Sequence, residues 1–190
     1  MGDPAHFSIR GGANPHTRNW LGFRKRVSKT KAIKQWHRLA KILTQLGADV
    51  FVIPPDPQHT GLVYPANAGF LNKVDEKIPI NRKDFSLSNL IEPRAGEKEH
   101  YQDFLNRLGF ITRHLSRRFE GEADFFPAGD RYIFTYGVIR KQRFVFRKGF
   151  PPYCRVYGFR SDFQVLEELK NIVVDRELIP VVLCNEAQYH

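Results

Sequence analysis

At 190 residues, 42% hydrophobic and 26% charged, the chain can bury one sizeable core, and the expectation is a single domain over 1–190. No run approaches the roughly 18–20 consecutive apolar residues of a membrane span, and the N-terminal MGDPAHFSIR lacks the apolar core of a signal peptide, so a membrane is not expected and a cytoplasmic location is. Cys154 and Cys184, the only cysteines, are too few for a disulfide scaffold and lack Cys or His neighbours at zinc spacing, so both read as buried or free thiols.

Ser28 or Thr30 can cap a helix in which Ala32, Trp36, Leu39, Ala40, Leu43 and Leu46 recur at helical spacing, with Gly47 as its stop. A short apolar run follows from Val50 to Ile53, ended by Pro54 and Pro55, and Leu62 to Leu71 reads as a second extended segment. From Glu97 to Leu108 a second helical face is marked by Tyr101, Phe104, Leu105 and Leu108; Gly109 stops it, and Phe110 and Ile111 begin an apolar segment. Ala123 to Phe126 and Arg131 to Tyr136 flank Pro127, Gly129 and Asp130 as a hairpin, and Arg143 to Phe146 reads as a further strand. Ser161 or Asp162 caps Phe163 to Asn171, with Val165, Leu166 and Leu169 inward, before Ile172 to Val174 and Ile179 to Leu183. Three rounds of helix then strand argue for a repeated α/β architecture without a linker between domains.

A formal net charge of +10 raises the question of nucleic acid. Lys and Arg concentrate from Arg24 to Lys34 and again from Arg140 to Arg160, where Phe144, Phe146 and Phe150 are interleaved and could stack bases. Strand alternation gives the same pattern with the Phe side chains turned inward. That reading, of a solvated helix entrance and a twisted hairpin, is preferred over nucleic-acid binding.

Several stretches are more specific than core filling requires: VYPANAGF (63–70), PRAGEKEHY (93–101), FEGEADFF (119–126), YGFRSD (157–162) and the terminal QYH. Taken in order with Pro4, Phe7, Asn14–Pro15 and Gln35–Trp36, they give Ala66 to Gly69 as an Ala-Asn-Ala-Gly turn, Arg94 and Glu97 as a helix start, Glu120 and Asp124 in an acidic strand, and Tyr189 with His190. This ordered pattern resembles the guanidine-modifying pentein superfamily of amidinotransferases and dimethylarginine dimethylaminohydrolases, with the resemblance covering the whole chain and ending at the family's catalytic histidine. It implies an α/β fold, a partial propeller of pseudo-repeated ββαβ units, C-terminally truncated relative to the family. It also implies an arginine-type substrate processed through a covalent amidine on a Cys thiolate, by hydrolysis or by amidino transfer, with no cofactor and no metal.

By the same resemblance His190 is the proton shuttle and Glu120 the catalytic carboxylate. Asp124 and Asn67 would bind substrate, and Arg94 and Arg160 could grip its α-carboxylate. A guanidinium is a planar cation with paired N–H donors, which carboxylates hold edge-on. An Arg opening a helix also pairs with a nearby Glu, here Glu97, and Asn67 can satisfy its own turn.

Two departures from the pattern stand out. The family's Asp before the Ala-Asn turn is replaced by Gly61, and neither Cys184 in VVLC nor Cys154 beside Pro151 and Pro152 matches the nucleophile. The chain alone is therefore expected to be inactive and to expose faces that a complementing chain or a second copy would cover. The alternative functions are a non-catalytic module that binds ligand or protein, and a basic nucleic-acid binder.

Overall fold

The computed structural model describes residues 1–9, 15–21, 23–74, 77–92, 94–141 and 143–185. Asn14, Pro93, Tyr189 and His190, which carry part of the resemblance, lie outside the described residues.

Helix α1 spans Lys29–Gln45. Ser28 caps it, its hydroxyl accepting from the Lys31 N–H at 3.3 Å, and Gly47 at φ +83° ends it in a conformation that favours glycine. No residue of this helix is buried, and Leu39, Ile42 and Leu46 of its apolar stripe are exposed, Leu46 to 78%. Expected strand Val50–Ile53 reduces to a single parallel bridge from Ile53 to Gly2, in which Ile53 N–H donates to Met1 O and Asp3 N–H to Ile53 O. Pro54 and Pro55 remove the donors that would lengthen it.

The expected extended segment Leu62–Leu71 is mostly turns: 3-10 turns at Thr60–Val63 and Pro65–Asn67 precede strand β1, Gly69–Leu71. Pro65 fixes the φ that starts a helical turn and needs no N–H there, which is why the apolar look of this stretch misleads.

Strand β2, Asp84–Leu87, pairs antiparallel with β1 and parallel with β3, Ile111–His114; the parallel crossover is made by helix α2, Glu97–Arg107. The same connectivity then recurs. Strand β4, Phe125–Ala128, turns at Gly129 (φ +67°) into antiparallel β5, Arg131–Tyr136, and β5 pairs parallel with β8, Glu177–Val182, after helix α3, Leu166–Ile172. Each three-stranded sheet is thus a ββαβ unit. The Gly2–α1–Ile53 segment repeats the βα and final β part alone. In the second unit a hairpin of β6, Arg143–Phe146, and β7, Tyr153–Val156, is inserted between β5 and α3. The expected strand Ile172–Val174 is instead the end and cap of α3.

A core cluster joins the two units: Phe70 of β1 and Phe119 before β4 pack with Phe125, Tyr132, Phe134 and, under α3, Val165 and Leu169. Phe70 and Phe125 meet edge to face at 4.6 Å, and Phe125 stacks on Tyr132 at 4.7 Å. Full burial of each such ring stabilises by about 1.5–3 kcal/mol, so these contacts fix the orientation of the loops that leave the two sheets. Phe144, Phe146 and Phe150 of the inserted hairpin do not turn inward: all three are exposed, Phe146 to 90% and Phe150 to 86%. Among the described residues no helix is long and apolar enough to cross a membrane.

Candidate functional site

The site is built where two turns from different units touch. Gly121 sits at φ +65°, and a Cβ there would lie 2.6 Å from Gly69 O, 2.7 Å from Gly69 N and 2.8 Å from Ala66 O. Only glycine allows that conformation together with that approach. The contact presses the FEGEAD turn onto the ANAG turn and brings Asn67 beside Glu120, the Asn67 Nδ2–H donating to Glu120 Oε2 at 3.3 Å.

Glu120 is buried, and Arg160 Nη1 lies 2.5 Å from its Oε2. Its Oε1 has no hydrogen-bond partner among the described residues. Burial pushes the Glu120 carboxyl above the ordinary glutamate range; Arg160 and Arg94 pull the other way without cancelling the shift, and Asp124 adds to it.

Asp124 is also buried, but it turns to hydroxyls. Ser161 Oγ donates to its Oδ2 at 2.5 Å and Thr135 Oγ1 to its Oδ1 at 3.0 Å. Ser161 Oγ in turn accepts the Glu120 backbone N–H at 3.1 Å. Asp124 therefore fixes a hydroxyl that fixes the backbone of Glu120, and residue 161 follows Arg160, so one chain of hydrogen bonds sets both members of the ion pair. Capping of the following turn falls to Asp162, whose carboxylate accepts from Gln164 N–H, leaving Ser161 free for this role.

Arg94 stands just before α2 and forks onto Glu97, with Nε–H 3.0 Å from Oε1 and Nη2–H 2.6 Å from Oε2, while Nη2 also donates to Gly61 O at 3.1 Å. Gly61 makes room for this pair: a Cβ would fall 2.1 Å from Glu97 Oε1. An Asp at that position, as the family carries, would meet the Glu97 carboxylate. Arg94 thus takes the helix-start pairing and reaches Glu120 through its field.

The structure brings together Asn67, Glu120, Asp124 and Arg160, sets Arg94 nearby in its own pair, and does not describe His190. Cys154 is half-buried on β7 and Cys184 is exposed; both are free thiols. Ser161 and Thr135 join the site without being singled out by the sequence. Ser161 lies in the YGFRSD motif, but its partner Asp124 is 37 residues away, and no local signal announces such a pairing. Metal-capable side chains gather outside this network, at Asp56, His59 and His100.

No family model matches the chain. Among curated proteins it is 30% identical over 146 residues to an N(G),N(G)-dimethylarginine dimethylaminohydrolase of Mycobacterium tuberculosis, spanning 75% of this chain and 43% of that protein. Among solved structures, the N-terminal domain of ArgZ, an arginine dihydrolase from the ornithine-ammonia cycle in cyanobacteria, bound to product, superposes over 100% of this chain and 59% of its own with a TM-score of 0.75 at 22% identity. AgrE in ternary complex with ornithine and NAD+ matches over 100% of this chain and 24% of its own, with a TM-score of 0.73 at 23% identity. A dimethylarginine dimethylaminohydrolase adduct with S-methyl-L-thiocitrulline matches over 88% of this chain and 55% of its own, with a TM-score of 0.59 at 15% identity. At these identities the solved structures establish the fold, and the chain spans under half of the curated relative's length.

Proposed function

Because this chain belongs to the guanidine-modifying pentein superfamily, we propose that it supplies the guanidinium-gripping part of an arginine-directed amidine hydrolase or amidinotransferase. One observation carries the reading. Buried Glu120 already holds a guanidinium, that of Arg160, on Oε2 at 2.5 Å, and keeps Oε1 without a hydrogen-bond partner among the described residues. A buried carboxylate oxygen without a donor costs about 1–3 kcal/mol, and a substrate N–H is the donor that removes this cost.

In this reading Glu120 Oε1 accepts from the substrate guanidinium and holds its plane edge-on. Asn67 locks the other oxygen together with Arg160. Asp124, through Ser161, is a positioning residue rather than a second grip. Arg160 and Arg94 present positive charge to the substrate's α-carboxylate, Arg160 most directly. A thiolate from outside these 190 residues attacks the amidine carbon; the departing amine takes its proton from His190, and water or an acceptor amine then breaks the C–S bond. Burial raises the Glu120 pKa, and an incoming cation would pull it back down, as Arg160 and Arg94 already do in part.

Support comes from the curated relative, a dimethylarginine dimethylaminohydrolase, and from fold neighbours bound to L-arginine and ornithine. A cytoplasmic setting belongs to the same reading. So does a partner, a complementing chain or a second copy, lying over the exposed stripe of α1.

The test is calorimetry with arginine and dimethylarginine on the 190-residue chain and on Glu120→Gln. A second arm co-expresses the chain with the C-terminal segment of the mycobacterial relative. Binding that needs Glu120, with citrulline released on complementation, is expected; binding without release under complementation would make the chain a non-catalytic arginine-binding module. Absence of both would overturn the proposal.

A second reading attaches to the inserted hairpin, where Phe146 and Phe150 are exposed and Arg155 lies 4.3 Å from the Phe144 ring centroid. Single-stranded nucleic acid would stack there and bind with steep salt dependence. Salt-insensitive or absent binding to a labelled oligonucleotide removes this reading.

A further inference from the structure

Asp56, Pro57, Gln58 and His59 form a turn closed by the Asp56 side chain: Oδ1 accepts the Gln58 N–H at 2.7 Å and the His59 N–H at 2.8 Å. The turn holds the His59 ring with Nδ1 3.0 Å from the same oxygen. On the first turn of α2, His100 places Nε2 3.1 Å from His59 Nδ1, the two ring centroids lying 4.7 Å apart. Gly96, one turn earlier, makes this approach possible, since a Cβ there would lie 2.5 Å from His59 Nε2. All three groups are half-buried, and their ligand atoms lie within 4.8 Å of one another.

With both imidazoles neutral, a single proton on His59 Nδ1 serves two acceptors, Asp56 Oδ1 and His100 Nε2. Once that proton moves to Nε2, Nδ1 of His59, Nε2 of His100 and Oδ1 of Asp56 present three lone pairs that one small cation can satisfy. In a tetrahedral site with bonds of about 2.0–2.1 Å, ligand atoms stand roughly 3.4 Å apart. The two spacings at His59 Nδ1, 3.0 Å to Asp56 Oδ1 and 3.1 Å to His100 Nε2, need a small widening, and the Asp56 and His100 ligand atoms lie within 4.8 Å of each other. A donor set of two imidazole nitrogens and one carboxylate oxygen suits borderline transition metals and not magnesium or calcium, which prefer oxygen.

We propose that Asp56, His59 and His100 bind one divalent transition-metal ion, with zinc as the first candidate and a water completing the coordination. The metal takes Nδ1 of His59, whose proton moves to Nε2, and takes Nε2 of His100. Bound there, it fastens the 56–59 turn to α2 just beyond the Arg94–Glu97 pair. The site stands apart from the guanidinium grip, so it holds or fails independently of that reading.

The experiment titrates zinc into the chelator-treated 190-residue chain carrying Cys154→Ser and Cys184→Ser, so that no thiol competes. About one equivalent is expected to bind. His100→Gln and His59→Gln should each weaken it by about tenfold or more, and Asp56→Asn, which keeps the turn's acceptor, by less. Far-UV circular dichroism without metal confirms that each variant is folded. Cobalt substitution gives a readout that needs no variant: the visible bands of a tetrahedral nitrogen and oxygen site are expected, and imidazole resonances of His59 and His100 should broaden. No cobalt bands, or zinc binding unchanged by the paired substitution His59→Gln with His100→Gln, would overturn the site and leave the cluster a hydrogen-bonded stitch between turn and helix.

Discussion

Replacing Glu120 by Gln should separate stability from binding. The carboxylate is buried, one oxygen is paired with Arg160 at 2.5 Å, and the other has no partner among the described residues. Burial therefore outweighs the attraction of the arginines, and the folded-state pKa lies above the ordinary value of 4.5. For a group raised in this way, the stabilisation is fully present below the unfolded value and is lost as pH rises through the folded one. Wild-type stability, measured relative to Glu120→Gln by urea unfolding, should thus be flat below about pH 4 and decline above the ordinary value of 4.5. At neutral pH Gln keeps a carbonyl acceptor for Arg160 and removes a carboxylate charge that burial disfavours, so the variant should lose less stability than the alanine variant. Alanine takes the Glu120 carboxylate away from the buried Arg160 guanidinium, a loss of about 3–5 kcal/mol. Guanidinium binding should respond in the opposite sense. One charged hydrogen bond is worth about 1.5–3 kcal/mol, so Glu120→Gln should lose about 10- to 150-fold in arginine affinity by calorimetry. If Gln destabilises as much as Ala while arginine affinity is unchanged, Glu120 is a structural residue and does not grip the substrate.

Gly121→Ala forces a side chain into the left-handed region and a Cβ against the Gly69 and Ala66 backbone; about 3 kcal/mol should be lost in urea unfolding, with arginine binding weakened because Asn67 and Glu120 separate. Ser161→Ala strips donor and acceptor from Asp124 and the Glu120 N–H, for which about 2 kcal/mol of destabilisation is expected; Ser161→Thr should recover much of it. Gly61→Asp, which restores the family's residue, should lower the melting temperature by several degrees, since its Cβ would fall 2.1 Å from Glu97 Oε1; pairing it with Glu97→Ala should relieve the contact. Leu39→Glu on the uncovered stripe of α1 should shift stability by under about 0.5 kcal/mol in the isolated chain yet abolish association with a complementing segment in sedimentation.

How much was legible follows from the range of each signal. Ser28, Gly47 and Gly109 act on their own backbone, so α1 and α2 are found within a residue or two of their bounds. Gly129 likewise gives the β4–β5 turn. The stretch 62–71 misleads because its apolar content points to a strand while Pro65 dictates turns. In β6 the alternation of Arg and Phe is real, but which face is covered depends on a layer that no local pattern specifies, and Phe146 ends outside. Strand β2, four residues with one charge, carries too short a period to announce itself. In the site, Glu120 and Asn67 are legible through the ordered motifs; the Asp124–Ser161 strut and the His59–His100 contact join residues 37 and 41 apart and exist only after folding.

The repeated topology explains why the grip sits where it does. Asn67 belongs to the turn entering the first ββαβ unit, and Glu120 to the turn entering the second. Equivalent turns of equivalent units lie side by side, and Gly121 against Gly69 sets their spacing at backbone contact. Neither unit holds both residues, so the site needs the shared aromatic core more than it needs either sheet. Loosening that core at Phe125, which touches Phe70, Phe119 and Tyr132, should therefore weaken guanidinium binding even though a phenyl ring offers no hydrogen bond to the carboxylate. Phe125→Leu, a loss of about 1–3 kcal/mol, should lower arginine affinity at temperatures where circular dichroism still reports a folded chain. An unchanged affinity there would mean that the two turns hold each other without the core.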